Sequence, residues 1–294
     1  MSAAATREAR VGRRGTPEST GGRRRRPPLW TGFVLSVLAI LVGFPFLWLV
    51  LTSLRTRNSV FSGTFFPESI TFDAYGAVWE ATNFPSHFLT SLVLSVLTVV
   101  FVVALASLSG YAFARLRFPG RNVIYLVLLS TLMMPATALI LPLYLQLRDI
   151  GLLDTREGLL LLYVSGGVPF AMFLMRAFFS TVPIELAQAA RIDGASEFQI
   201  FWRIYLPLTK PGIATVVIFQ FLSTWNEFLY ANTVLQSPER LPLQPVLFTL
   251  IGQYQTDWPM LTAGLVLSIV PVVLVYVRMQ KQFVAGMTMG AVKE

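Results

Sequence analysis

The chain reads as an all-α polytopic membrane protein in which six transmembrane helices are interrupted by one polar but structured cytoplasmic loop. Three observations predict this. Of 294 residues, 54% are hydrophobic and 13% charged, with a mean hydropathy of +0.64, whereas soluble domains carry about 25% charged residues. Six stretches, near 29–53, 88–114, 122–147, 158–179, 211–235 and 260–282, are apolar enough to cross; a hydrocarbon core about 30 Å thick needs roughly 20 helical residues. The basic residues, finally, fall unevenly on the loops between these stretches.

Residues 1–28 precede the first span. They hold Arg7, Arg10, Arg13, Arg14 and Arg23 to Arg26 among Gly, Pro, Ser and Thr, with little apolar surface to offset ordering, and are expected to be a disordered basic arm. The long apolar run that follows has no small-residue cleavage site before it, so it is expected to remain as a span rather than to be removed as a signal peptide. With the arm inside, one side also collects Arg115, Arg117, Arg121, Arg176, Arg191, Arg203, Lys210, Arg278, Lys281 and Lys293. The other side has Arg55, Arg57, Arg148, Arg156 and Arg240. The positive-inside rule therefore places both termini in the cytoplasm of a multi-pass inner-membrane protein. The net charge of +8 is explained by this placement and by contact of the arm with anionic lipid, so no nucleic-acid partner is expected.

The first outward loop, about 54–87, contains Phe65-Phe66-Pro67 and Trp79 and predicts a short structured excursion at the interface. In the second span, Ala106, Gly110 and Ala114 recur every fourth position, a spacing that lets helix backbones approach in lipid. Pro135 and Pro142 in the third span, Pro169 in the fourth and Pro271 in the sixth predict kinks or interruptions. Arg148 to Glu157 makes only a turn.

Pro183 to Pro207 is too polar to cross, yet it is ordered by its own chemistry. Pro183 suits a first helical position, and Glu185 sets negative charge beside the N-terminal end of the helix dipole. Asp193-Gly194 ends this first helix near Ile192, since glycine tolerates left-handed geometry. Ser196 and Gln199 form a capping-box pattern that starts a second helix. Phe198, Phe201, Ile204 and Tyr205 give it an apolar face, and Leu206-Pro207 is expected to end it. Such a hairpin is either a docking device or an amphipathic pair lying on lipid headgroups.

In the fifth span, Trp225-Asn226-Glu227 places a carboxylate within an apolar run, where it is costly unless it faces water or a partner. With Tyr230 these residues suit a sugar path: aromatic faces cover C–H surfaces while amide and carboxylate groups bond hydroxyls. Pairing of Glu227 with a neighbouring helix is the alternative. The third outward loop, 236–259, mixes polar and apolar residues, and Leu247 to Ile251 can fold back toward the bundle as a re-entrant plug.

Several chemistries are excluded. The chain has no cysteine and one histidine, His87, so thiolate chemistry is absent, a metal site is not expected, and His87 is expected at an interface. Neither paired carboxylates nor a nucleophile–base pair appears at one membrane face. The lysines, Lys210, Lys281 and Lys293, are preceded by Thr209, Gln280 and Val292, so no Gly-Lys-Ser/Thr phosphate loop exists.

The loop resembles the EAA coupling-helix loop of ABC importer permeases, with Gln188-Ala189-Ala190, Asp193-Gly194-Ala195 and Ile204-Tyr205-Leu206-Pro207 at the family's spacing; Gln188 stands where the family has glutamate. Tyr111 to Gly120, Leu141 to Tyr144, Trp225 to Phe228 and the tail Gly286 to Lys293 resemble the carbohydrate, maltose-type subfamily, so the similarity spans 29–294. The resemblance implies a sugar permease subunit. It implies ATPase coupling through Glu185, Gln188 to Ala190, Asp193 to Ala195, Leu206 and Pro207, and ATP and magnesium held by partner subunits and not by this chain. A second permease, an ATPase dimer and an extracellular substrate-binding lipoprotein are the implied partners, the last meeting the loop 236–259. The alternative class is a proton-coupled secondary carrier using Glu227, against which stands the lack of an evident inverted repeat.

Overall fold

The computed structural model describes residues 29–252 and 255–291; the basic arm 1–28 lies outside the described residues, as do Gln253, Tyr254 and the last three residues. Among the described residues all regular structure is helical. The chain divides into two compact units, 1–46 and 47–294. Of the first, the described part is helix, the beginning of α1 (Leu29–Ser53).

The second unit follows in order as α2 (Asp73–Ala81), α3 (Phe84–Arg115), α4 (Arg121–Ser130), α5 (Ala136–Asp149), α6 (Arg156–Thr181), α7 (Ile184–Ile192), α8 (Glu197–Ile200), α9 (Leu206–Leu208), α10 (Lys210–Trp225), α11 (Leu229–Val234), α12 (Leu243–Thr249) and α13 (Trp258–Ala291). Four helices, Trp30–Ser53, Phe84–Arg115, Arg156–Thr181 and Trp258–Lys281, are each long and apolar enough to cross a membrane unbroken. The third expected span is instead a bent pair: Arg121–Met133 and Ala136–Asp149 meet at 105°. The fifth is broken too, with Asn226 to Phe228 separating α10 from α11.

The prolines act unequally. Pro142, Pro169 and Pro271 sit inside α5, α6 and α13 without stopping them, because a spanning helix can repair one lost bond locally. Only Pro135, among the four, coincides with an end: Met134 and Pro135 are both extended, with ψ of 123° and 135°.

The centre of the second unit is α3 against α6. The small-residue stripe does what its spacing predicts at Gly110, where a Cβ would come within 2.9 Å of the Met175 Cβ and 3.0 Å of the Arg176 amide nitrogen, so the two backbones touch. Around one end of this pair lies an aromatic and methionine core containing Tyr111, Met172, Met175, Phe179, Phe201 and Tyr205. Around the other, α2, α10, α12 and α13 bury Val78, Phe221, Trp225, Leu243, Leu247 and Ala263.

The loop 236–259 does fold back. Leu243 and Leu247 are buried, Leu247 and Val78 occupying space left by Gly264, and the Leu243 N–H donates to the Ser91 hydroxyl at 2.7 Å. Phe248 and Ile251 remain exposed. His87 is buried, its Nδ1 2.7 Å from the Leu241 carbonyl oxygen, so it serves as a loop anchor. The excursion before α2 is pinned by the buried Arg55, whose guanidinium donates to the Ser59, Thr64 and Phe65 carbonyl oxygens. At the α5–α6 turn Asp154, at φ +57°, accepts from the Gln236 and Ser237 amides and the Ser237 hydroxyl. These hydrogen bonds, with Arg240 nearby, hold its carboxyl down at about 2 and tie the turn to the loop after α11.

Candidate functional site

Two regions collect the chemistry: the α7–α8 hairpin at one end of the α3–α6 pair, and the helix breaks along the bundle. The hairpin forms for local reasons. Pro183 is the N-cap of α7 rather than its first residue, and Glu185 lies in the first turn. Gly194 has φ +83°. Its amide bonds the Arg191 carbonyl at 3.1 Å and the Ala195 amide bonds that of Ala190 at 2.9 Å, a glycine C-terminal cap. Ser196 then caps α8 reciprocally with Gln199, at 2.9 and 3.3 Å.

The second helix departs from expectation in two ways. First, it does not end at Leu206-Pro207. After a π-helical turn over Phe201–Tyr205 the chain continues through α9, and the bend of 75° into α10 falls at Thr209. A π turn makes i→i+5 bonds and so shifts the donor pattern ahead of Pro207, which has no N–H to lose. Thr209 closes the bend by donating its hydroxyl to the Tyr205 carbonyl at 2.9 Å. Second, the apolar face is split. Ile200, Phe201 and Tyr205 are buried, Ile204 is partly so, and Phe198 is 67% exposed, its ring stacked on the exposed Trp202.

The hairpin therefore has an inner and an outer side. Ala187 is buried on the inner side, with Ala190 and Ala195 packed beside it. Glu185, Gln188, Ala189, Asp193, Gly194 and Pro207 are exposed, and Leu206 is half-buried. Ile192 (87% exposed), Phe198 and Trp202 add apolar surface to the outer side. Ile192 and Trp202 were not anticipated; their signal was an apolar residue on each flank of a polar turn, which periodicity within one helix does not register.

Attachment to the bundle runs through residues that sequence reasoning also missed. The Tyr111 hydroxyl of α3 donates to Glu197 Oε2 at 2.9 Å, and Arg191 Nε donates to Oε1 at 2.7 Å. Arg191 beside it holds the Glu197 carboxyl below the usual carboxylate range. Arg115 donates to the Phe179 and Val182 carbonyl oxygens at the end of α6 and lies 5.0 Å from the Tyr205 ring centroid. Tyr111 itself packs on Phe201 and Tyr205 at 5.2 and 5.1 Å. Hairpin, α3 and α6 are thus tied by charge, hydrogen bonds and ring contacts at one place.

The second region is a cavity of about 290 Å³ lined by residues of α6, α10, α11 and the α4–α5 break, among them Tyr163, Gln220, Ser223, Thr224, Glu227 and Tyr230. Of the four residues expected on a sugar path, Glu227 and Tyr230 line it. Trp225 does not: it is 2% exposed and its Nε1 donates to the Ser268 carbonyl at 3.0 Å, because α13 offers an acceptor that the sequence around Trp225 does not reveal. Asn226 is exposed, bonds the Leu222 carbonyl at 2.8 Å and lies outside the cavity lining. Glu227 is engaged, accepting from the Tyr163 hydroxyl at 2.7 Å and from the Tyr230 and Ala231 amides at 2.7 and 3.1 Å. It is the cap of α11 and its link to α6.

Residues 103–289 match the family described as binding-protein-dependent transport system inner membrane component. The chain is 34% identical over 260 residues to the diacetylchitobiose uptake system permease protein of Streptomyces coelicolor, covering 87% of this chain and 86% of that one. It is 34% identical over 274 residues to the trehalose transport system permease protein of Mycobacterium tuberculosis, covering 92% and 98%. A solved bacterial ABC transporter involved in import of the acidic polysaccharide alginate contains a chain with TM-score 0.77 and 29% identity, covering 87% of this chain and 95% of that one.

Proposed function

Because the chain belongs to the family of binding-protein-dependent transport system inner membrane components, we propose that it is a permease subunit of an ATP-driven ABC importer that moves a sugar or oligosaccharide across the cytoplasmic membrane. The observation that carries the mechanism is the hairpin: an exposed outer side, rigidly capped within itself and fastened to α3 and α6 on its inner side. A partner ATPase seated on Glu185, Gln188 to Ala190, Asp193 to Ala195, Leu206 and Pro207, with Ile192 and Trp202 as apolar contacts, would move the bundle as it closed around ATP. The alternative of a headgroup-lying pair leaves the Tyr111–Glu197 attachment without a purpose.

The remaining assignments follow from this reading. The chain lacks a phosphate loop, so ATP and magnesium belong to the ATPase dimer and this chain only transports. A second permease completes the pathway, and a sugar-loaded binding lipoprotein meets the opposite face, where Phe248 and Ile251 are exposed. The positive-inside distribution puts the hairpin and both termini in the cytoplasm. A proton-coupled carrier finds no support in the family, and the hydrogen bonds at Glu227 give that residue a structural role instead.

Reconstitution tests the proposal. The isolated chain is expected to hydrolyse no ATP. Co-assembled with its permease partner, ATPase and binding protein in proteoliposomes, it should import at least one of trehalose, lactose, diacetylchitobiose and galacto-oligosaccharides, with vanadate abolishing uptake and a proton uncoupler sparing it. Uptake that resists vanadate and collapses with the uncoupler refutes the importer assignment.

A further inference from the structure

The turn from α3 into α4 carries an open basic cavity of about 490 Å³, lined by Arg117, Phe118, Gly120, Arg121, Asn122 and Val123. Neither the hairpin nor the helix breaks use it. Its frame is packed: Phe118 of the turn and Tyr125 of α4 lie 5.7 and 5.6 Å, ring centroid to ring centroid, from the buried Phe113. The Arg176 guanidinium of α6 sits 3.8 Å from the Tyr125 ring centroid. Gly120, at φ +75°, turns the chain into α4 so that both arginines border the same space.

The two guanidiniums lack a counter-charge. Arg121 is half-buried and aimed by one bond, its Nη1 donating to the Leu116 carbonyl oxygen at 3.1 Å. Arg117 is exposed and makes no hydrogen bond, ion pair or ring contact among the described residues. Elsewhere Arg57, Arg148, Arg191 and Arg240 each pair with a carboxylate, but no Asp or Glu occurs between Glu80 and Asp149, and none lines this cavity. What lies beside the arginines decides which anion fits. Val123, Ile124, Leu126 and Val127, beginning two residues after Arg121, are all exposed. A soluble anion or an acidic protein surface would satisfy the arginines and leave these side chains bare. A phospholipid covers both, its phosphate oxygens matching the planar guanidinium fork and its acyl chains lying on α4. A zwitterionic headgroup would bring an ammonium that finds no carboxylate here, so the net-anionic class is favoured.

We propose that the α3–α4 turn binds the phosphate of one anionic phospholipid between Arg117 and Arg121, with the acyl chains along the exposed face of α4. The site needs only the fold described above, whereas its place in the inner leaflet rests on the orientation given under the proposed function. It uses none of the arginines of the arm 1–28.

Photolabelling of the full transporter complex in phosphatidylcholine nanodiscs tests the site. The probe is a trace of photoactivatable phosphatidylglycerol or phosphatidylcholine, reactive on the acyl chain, and labelled peptides are located by mass spectrometry. Phosphatidylglycerol should label Val123 to Val127 several-fold more than phosphatidylcholine does. Arg117→Gln, which breaks no bond among the described residues, should remove most of that preference, and Arg117→Lys should keep part of it. Arg23→Gln, Arg24→Gln, Arg25→Gln and Arg26→Gln together should leave it unchanged. Unlabelled phosphatidylglycerol should compete, and millimolar inorganic phosphate should not. Equal labelling by the two lipids, a preference that survives Arg117→Gln or follows the arm arginines, or an α4 labelled by neither lipid because a partner subunit covers it overturns the site. Displacement by inorganic phosphate overturns the lipid as its occupant. Orientation is read separately: Pro119→Cys in this cysteine-free chain should react with an impermeant thiol reagent from the cytoplasmic side. Reaction only from outside contradicts the proposed orientation and leaves the lipid result standing.

Discussion

Tyr111 and Glu197 stand far apart in the chain, and their 2.9 Å hydrogen bond is a direct tie from the hairpin to α3. Tyr111→Phe keeps the ring against Phe201 and Tyr205 and removes only the donor, a loss of about 1.5–3 kcal/mol for a bond to a charged acceptor. The expected result is an assembled complex that hydrolyses ATP but imports less sugar per ATP; a fall in complex yield with an unchanged ratio would mean the bond is merely structural. Because the Glu197 carboxyl is held low by Arg191, its folded-state contribution is present at neutral pH and lost only as the pH falls through that lowered value. Legibility at this scale follows sequence distance. Gly194, Ser196 and Gln199 were readable because their partners lie within a few residues. The burial of Trp225 against α13 is not legible locally, because its partner, Ser268, lies on another helix, and the role of Glu197 is not, because nothing nearby announces Tyr111.

At the scale of elements, the informative departures are the breaks. Local proline chemistry predicts four disturbances, yet only Pro135 coincides with a helix end, and the break at Asn226 to Phe228 has no proline at all. What organises that break is Glu227, which caps α11 and binds Tyr163 of α6. Glu227→Ala leaves three donors without their acceptor and should destabilise the assembly by roughly 1–3 kcal/mol, seen as a lower melting temperature of the solubilised complex with reduced transport. Glu227→Gln keeps an acceptor oxygen and should retain most uptake. Abolished uptake with unchanged melting in Glu227→Gln would instead mark the carboxylate as a proton carrier. The continuation of the hairpin's second helix past Pro207 belongs to the same lesson: the π turn that permits it is a packing outcome of Phe201 and Tyr205 entering the core, which a helical wheel drawn at constant pitch does not contain.

For the whole molecule, composition and apolar run length were enough to place an all-helical membrane protein, and the spacing in the hairpin and its flanking motifs was enough to place the family. Four helices are each long and apolar enough to cross unbroken, whereas Arg121–Met133 with Ala136–Asp149 and Glu197–Leu208 with Lys210–Trp225 are bent pairs, a distinction hydropathy does not draw. The central claim is that the hairpin transmits nucleotide-driven motion to the bundle, and Gly194 offers the cleanest way to disturb it. A Cβ at Gly194 meets no atom within 4 Å, so substitution acts through φ +83° alone. Left-handed geometry costs an ordinary residue about 1–2 kcal/mol, and a β-branched one more. Sugar uptake per ATP hydrolysed by the purified complex carrying Gly194→Val is therefore the most direct measurement. A complex that inserts normally but loses the ATPase, or keeps it and hydrolyses ATP with little uptake, with Gly194→Ala intermediate, is the predicted result; wild-type uptake per ATP with the ATPase bound would contradict the account.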